Sequence, residues 1–185
     1  KDITGEKPRH IKSLSVGNHH ACALLDNHKV VCWGYGGNGQ LGIGNNKNIG
    51  DDGDEMGPNL VYFKAGMNYT ALAVTCGHSI TCVVRSDWSL VCLGKNWFGA
   101  LGAEKPNRNL GRYPDEVGKY ISVTRLGPFR KPLMIHSGSN FQCALLDNGS
   151  VKCWGLNNKG VLGIPGVRFI GRFPGSMGGS LPEVM

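Results

Sequence analysis

Short apolar runs broken by turn-forming residues dominate the chain. In "CALLDNHKVVCWG" (22–34) Leu24-Leu25 and Val30-Val31 flank Asp26-Asn27-His28. In "CALLDNGSVKCWG" (143–155) similar runs flank Asp147-Asn148-Gly149. Apolar runs around such a centre predict a β-hairpin. A third copy, "CVVRSDWSLVCLG", runs from Cys82 to Gly94. The copies lie 60 and 61 residues apart, a period that marks a solenoid, propeller or array.

The alignment extends well beyond the hairpins. Gly17, Gly77 and Gly138 each stand five residues before a first cysteine. Trp33, Leu93 and Trp154 follow the second cysteines, and Gly34, Gly94 and Gly155 follow those. "GQLG" (39–42), "GALG" (99–102) and "GVLG" (160–163) align next, then "IGDDGDEMG" (49–57), "LGRYPDEVG" (110–118) and "IGRFPGSMG" (170–178). The repeats run over approximately 11–69, 70–131 and 132–185, within a single domain spanning 1–185.

Hairpin geometry assigns the cysteines. If Leu25 faces Lys29, then Cys22 faces Cys32, with Cα atoms roughly 4.5–5.5 Å apart as in any directly opposed antiparallel pair. That lies within the range a disulfide spans. Cys22–Cys32, Cys82–Cys92 and Cys143–Cys153 are therefore the favoured cross-strand disulfides. Buried free thiols are the alternative, and zinc is disfavoured because its ligand pairs usually sit two to four residues apart. A three-residue turn of this kind often ends on a left-handed residue. Gly149 suits that position; His28 and Trp88 hold it with more strain. Cys76 is the seventh cysteine. It is a small buried residue, a free thiol or half of an intermolecular bridge.

Glycine accounts for 29 of the 185 residues, as suits many short strands and tight turns. No apolar run approaches the roughly 20 residues of a membrane helix, so no membrane span is expected. No signal peptide is visible ahead of Lys1, which suggests a processed protein or a fragment. Asn68-Tyr69-Thr70 and Asn148-Gly149-Ser150 are glycosylation sequons. With stable disulfides rare in reducing compartments, they point to a secreted or cell-surface location.

The net charge of +7 is uneven. Residues 1–92 hold 8 Lys/Arg against 8 Asp/Glu, whereas 93–185 hold 12 against 5. One aligned loop shows the contrast: "DDGDE" (51–55) faces "RYPDE" (112–116) and "RFPGS" (172–176). A basic half attracts acidic proteins or other polyanionic surfaces, or serves solubility. Nucleic acid is a poor fit, because the basic residues lack the interleaved aromatics of a single-strand groove.

"CALLDNGSVKCWGLNNKGVLG" and "CALLDNHKVVCWGYGGNGQLG" resemble the repeat of the regulator of chromosome condensation family, over nearly the whole chain. The resemblance implies an all-β, β-propeller-type repeat of about three four-stranded blades, where seven are usual. The paired cysteines look like those of the secreted and cell-surface branch. Three blades imply a partial propeller, completed by further copies or by a longer polypeptide. The terminal "GGSLPEVM" aligns with "GPNLVYFKAG" and "GKYISVTRLG" and is expected to be the first strand of a further blade, leaving strand edges to recruit a neighbour.

Candidate chemistry is sparse. Cys76 and His78 share one side of a strand, but no third orienting group is identifiable for a nucleophile. His19 and His20 point to opposite faces, which disfavours metal binding. "DDGDE" offers oxygen ligands without the spacing of a calcium loop. Trp33 and Trp154 read as core. Trp88, Trp97 and Phe98 depart from the repeat and are large and apolar; with Arg112, Arg172, Asp51, Asp52 and Asp54 they form the expected contact surface. The expectation is an extracytoplasmic module for protein binding or structural assembly, non-catalytic and without cofactor, whose partners are other proteins or further copies of itself. An intracellular exchange factor or chromatin binder is the alternative, and a metal or Cys-His enzyme the second.

Overall fold

The computed structural model describes residues 9–184. Alternating apolar positions fold into three antiparallel sheets. The first orders β1 (Ile11–Val16), β2 (His20–Leu25) and β3 (Val30–Gly34). The second orders β4 (Ala71–Cys76), β5 (Ile80–Arg85), β6 (Leu90–Gly94) and β7 (Val123–Thr124). The third orders β8 (Pro132–Ser137), β9 (Phe141–Leu146), β10 (Val151–Leu156) and β11 (Phe169–Ile170). Helix is confined to single 3-10 turns among the described residues.

The fourth position of every sheet is shared by two short pieces. The first piece is Ile49 against Gly34, Leu110 against Gly94, and β11 against β10. The second is Tyr62 against Val31, β7 against β6, and Val184, whose N–H donates to the Val151 carbonyl at 2.8 Å. The aligned loop carrying "DDGDE", "RYPDE" or "RFPGS" lies between the pieces. This corrects the expectation for the C-terminal segment. It pairs with β10 of its own sheet and does not open a further blade, because Leu181 is buried and carries the backbone back to Val151.

The sheets stack through their first strands. β4 packs on β1 and β2, and β8 packs on β4 and β5. The aligned glycines explain how the strands come so close. A Cβ on Gly77 would sit 2.6 Å from the Gly138 carbonyl, and one on Gly17 would run into the Gly77 carbonyl. Only glycine permits that approach. One core runs through all three sheets, from Cys22 and Leu41 through Leu93 and Leu101 to Trp154 and Leu162. Among the described residues, the stacking leaves a face of side chains uncovered at the first sheet.

Candidate interaction surface

The hairpins supply the rigid frame. Cys22, Cys82 and Cys143 face Cys32, Cys92 and Cys153 in register, and a disulfide joins each pair across a Cα separation of 4.1 Å. His28, Trp88 and Gly149 adopt φ of 60°, 63° and 83° at the turns, the left-handed conformation that costs the two L side chains.

Each junction between sheets uses the same parts. The Gly-x-Leu-Gly turn of one repeat seats on the Ile/Leu-Gly loop of the next. A Cβ on Gly39 would lie 2.6 Å from the Leu110 carbonyl, and one on Gly171 would lie 2.5 Å from the Gly99 carbonyl. Asn109 donates to Asn38 Oδ1 at 3.1 Å across the first junction. Across the second, the Trp154 indole N–H donates to the Ala100 carbonyl at 3.2 Å, and the Met177 N–H donates to Glu104 Oε1 at 3.1 Å. Val117 and Met177 close the two seams, each almost fully buried.

The first sheet carries the same parts with nothing against them among the described residues. Trp33, the counterpart of Trp154, is half-buried and packs in a small separate cluster with Ala23, Leu25, Val31 and Leu60. Met56, the counterpart of Val117 and Met177, is 43% exposed. Together these residues, with Ile11 and Tyr62, line an apolar groove of about 550 Å³. The expectation that Trp33 packs in the core is thus corrected. Its indole belongs to a junction face, and a side chain on that face is buried only when another repeat covers it.

The expected contact residues separate into three places. Trp97 and Phe98 precede Gly99, which abuts the Arg172 backbone at the second junction, and the Arg172 guanidinium lies 5.2 and 5.3 Å from the rings of Phe169 and Phe173. Trp97 is half exposed beneath the Lys95 ammonium, 3.3 Å from its ring. Arg112 holds the matching position at the first junction. Asp51, Asp52 and Asp54 lie on the equivalent loop of the open face, all exposed. Trp88 stands apart on a hairpin tip, lining a depression with Arg125, Arg130 and Met177.

A shared carboxylate organises two of these loops, a role the sequence reading missed. Glu116 Oε2 accepts N–H bonds from Gly111, Arg112 and Tyr113 at 3.0, 3.0 and 3.3 Å. Glu55 does the same for Gly50 and Asp52 at 2.7 and 3.2 Å. Ser176 Oγ takes the Gly171 N–H in the third copy. The aligned Glu-Glu-Ser column was the available signal.

The histidine beside Cys76 is His20, not His78. Ligand atoms of His20, Cys22 and Cys76 lie within 4.8 Å of one another, whereas His78 packs on His19. Burial pushes the Cys76 thiol up to about 11 and His20 down to about 4. At neutral pH both are uncharged, the opposite of a thiolate-imidazolium nucleophile. Asn68 and Asn148 are both exposed, Asn148 on the hairpin tip. No helix among the described residues is long and apolar enough to cross a membrane.

Stapled four-position sheets stacked by their first strands define a β-propeller-type repeat protein. Residues 11–40 and 135–161 match one family model and residues 27–84 another, both described as the regulator of chromosome condensation (RCC1) repeat. Together they take in more than half of the chain, and the chain belongs to this repeat family. It is 26% identical over 159 residues to the guanine nucleotide exchange factor SRM1 of Saccharomyces cerevisiae, covering 84% of this chain and 32% of that one. It is 29% identical over 164 residues to the human probable E3 ubiquitin-protein ligase HERC4, covering 84% of this chain and 14% of the relative. Among solved structures, human WBSCR16 superposes with a TM-score of 0.65 at 17% identity, covering 89% of this chain and 39% of that one. Yeast RCC1 (Prp20), solved bound to Kap60, gives 0.59 at 19%, covering 95% and 37%. The chain therefore spans a third or less of these curated relatives' length, and the structural likeness speaks to the fold.

Proposed function

We propose that this chain is an extracytoplasmic propeller module that binds protein or builds an assembly, without catalysis. The observation that carries this reading is the open face of the first sheet. It is a preformed apolar groove around Trp33 and Met56, with Arg9 the one charged residue in its lining. Contiguous exposed apolar faces mark protein interaction sites. The three disulfides support an oxidising compartment. The basic later repeats favour an acidic protein or polyanionic surface as a further partner. Fractionation of the source cells with non-reducing peptide mapping tests the location. Three intact cystines in the secreted or surface fraction, with glycans on Asn68 or Asn148, are expected. Six free thiols in a cytosolic or nuclear fraction overturn the reading.

A second reading follows from the yeast relative, whose name is that of a guanine nucleotide exchange factor. It is tested by release of a fluorescent guanine nucleotide from purified small GTPases. Acceleration by substoichiometric amounts of this chain would establish exchange activity and displace the non-catalytic proposal.

A further inference from the structure

We propose that the depression between the second and third sheets is a docking site for an acidic segment of a partner protein, which seats an aromatic side chain in it and a carboxylate beside Lys152. The inference rests on the protein-binding role proposed above and assigns a site to the acidic partner.

The first junction shows what fills the equivalent space there. Tyr69 is buried, its hydroxyl donates to the Phe63 carbonyl, and the Lys29 ammonium lies 4.5 Å from its ring. "GMNYTALAVTCG" (66–77) aligns without a gap to "GPFRKPLMIHSG" (127–138), so Arg130 stands where Tyr69 does. Arg130 turns to Asp147 instead, at 3.4 Å. Ser89, Thr124 and Arg130, the counterparts of Lys29, Phe63 and Tyr69, line an open depression of about 530 Å³. That volume suits a bound side chain and the residues flanking it. Trp88, Leu126 and Met177 supply apolar surface for a ring. The walls belong to an internal junction: the β5–β6 turn, the β7–β8 connection and the loop at 175–180.

Charge selects the occupant. Lys152 stands where the other copies have Val31 and Val91. It is 5% exposed, and its ammonium has one hydrogen-bond partner among the described residues, the Gly178 carbonyl at 3.2 Å, and no carboxylate. A Cβ on Gly127 would lie 3.5 Å from that ammonium. Gly127 and Gly178 both line the depression, and neither has a side chain to screen the ammonium from an occupant. At the first junction the cation beside Gly66, the counterpart of Gly127, is Arg85, which is paired with Asp87 at 3.2 Å. Arg125 and Arg130 line the depression and already hold Glu104 and Asp147, but no carboxylate lines it. A buried cation without a counter-charge is unfavourable, and a carboxylate brought beside it offsets part of that penalty. An acidic segment with an aromatic residue satisfies both the space that Tyr69 fills elsewhere and the charge of Lys152.

Fluorescence anisotropy of a labelled peptide, Gly-Ser-Tyr-Glu-Glu-Gly-Ser, titrated with the protein tests this. Saturable binding is expected, weaker in high salt. Replacing the peptide's tyrosine with alanine, or its glutamates with glutamines, should weaken binding about tenfold. Lys152→Val installs the residue of the other copies. It should weaken binding of the glutamate peptide about tenfold and leave that of the glutamine peptide unchanged. Arg130→Tyr installs the side chain that plugs the first junction and should abolish binding without lowering the melting temperature. If Arg130→Tyr fails to fold, Lys152→Val with the two peptides decides alone. Absence of saturable binding by wild type, or a glutamate peptide that binds Lys152→Val as tightly as wild type, overturns the inference. So does a sulfated oligosaccharide that displaces the peptide and binds wild type and Arg130→Tyr alike, since that marks a basic surface with no pocket behind it. None of these results touches the broader binding reading, which stands or falls on the location of the cystines and the nucleotide-release assay.

Discussion

At the scale of single residues, conformation and burial set the vulnerable points. His28 and Trp88 hold left-handed backbone that glycine adopts freely. His28→Gly is expected to raise stability by about 0.5 kcal/mol, read as a shift in urea midpoint, since relief of strain outweighs the greater entropy lost on folding. Trp88→Gly should gain less, because the ring lies beneath the Lys131 ammonium at 5.7 Å. Buried titratable groups govern the pH response. Burial lowers His20 from 6.5 to about 4, with the neighbouring His19 charge a lesser cause, against an opposing hydrogen bond with the Ile80 backbone. The unfolded chain takes up that proton near pH 6.5 and the folded chain does not. Stability is therefore full above that pH and is lost as pH falls from about 6.5 to 4, by about 3 kcal/mol at most. Burial raises Cys76 from 9.0 to about 11 and Tyr69 from 10.0 to about 12. Here the folded chain keeps protons that the unfolded chain releases, so stability also falls as pH rises above about 9. Denaturant melts at several pH values should show a maximum between these limits. His20→Gln should flatten the acid side.

Elements owe their strength to local pairing and to staples of short reach. Every hairpin closes through a disulfide of sequence separation 10. Loops this short restrict the unfolded chain less than long ones, so each bridge contributes about 2–3 kcal/mol. Reduction is expected to lower the denaturation midpoint markedly without changing the strand order. Unfolding in denaturant with and without reductant checks this. The outer position of each sheet is weaker, being built from two short pieces on either side of a long loop. Glu55, Glu116 and Ser176 hold those loops by collecting backbone N–H groups. Removing Glu116 would leave the buried Gly111 N–H unsatisfied, which costs more than the bond itself contributes.

For the whole molecule, cooperativity depends on the junctions. In a repeat array each unit is stabilised by its neighbours, so weakening one junction uncouples the units on either side. Gly99 has a φ of +78° and abuts the Arg172 backbone. Gly99→Ala combines a strained conformation with a clash and should cost more than about 2 kcal/mol. The expected signature is a single unfolding transition resolving into two, followed by calorimetry, with the third sheet melting first. A uniform shift of one transition would show that the sheets unfold as a unit regardless of this junction.

Much of this protein was written in its period. Cysteines ten apart around an Asp-Asn turn dictate a hairpin register in which they face each other, because that geometry involves only local backbone. The recurring glycines announced close approaches, and the repeat announced the propeller-type class. Which residues met across the junctions was not legible, because a sheet does not reveal from its own sequence which neighbour covers its face. Trp33 and Trp154 occupy identical local settings, yet one is buried against Ala100 and the other lines an open groove. The C-terminal segment aligned correctly with its counterparts and was still assigned to the wrong sheet, since alignment fixes equivalence but not pairing. His20 was passed over for His78 as the neighbour of Cys76 because their proximity spans two sheets. Local hydrogen bonding is set by chain order and alternation. Burial, proton affinity and the open face are set by what stacking brings near, and that was decided only in three dimensions.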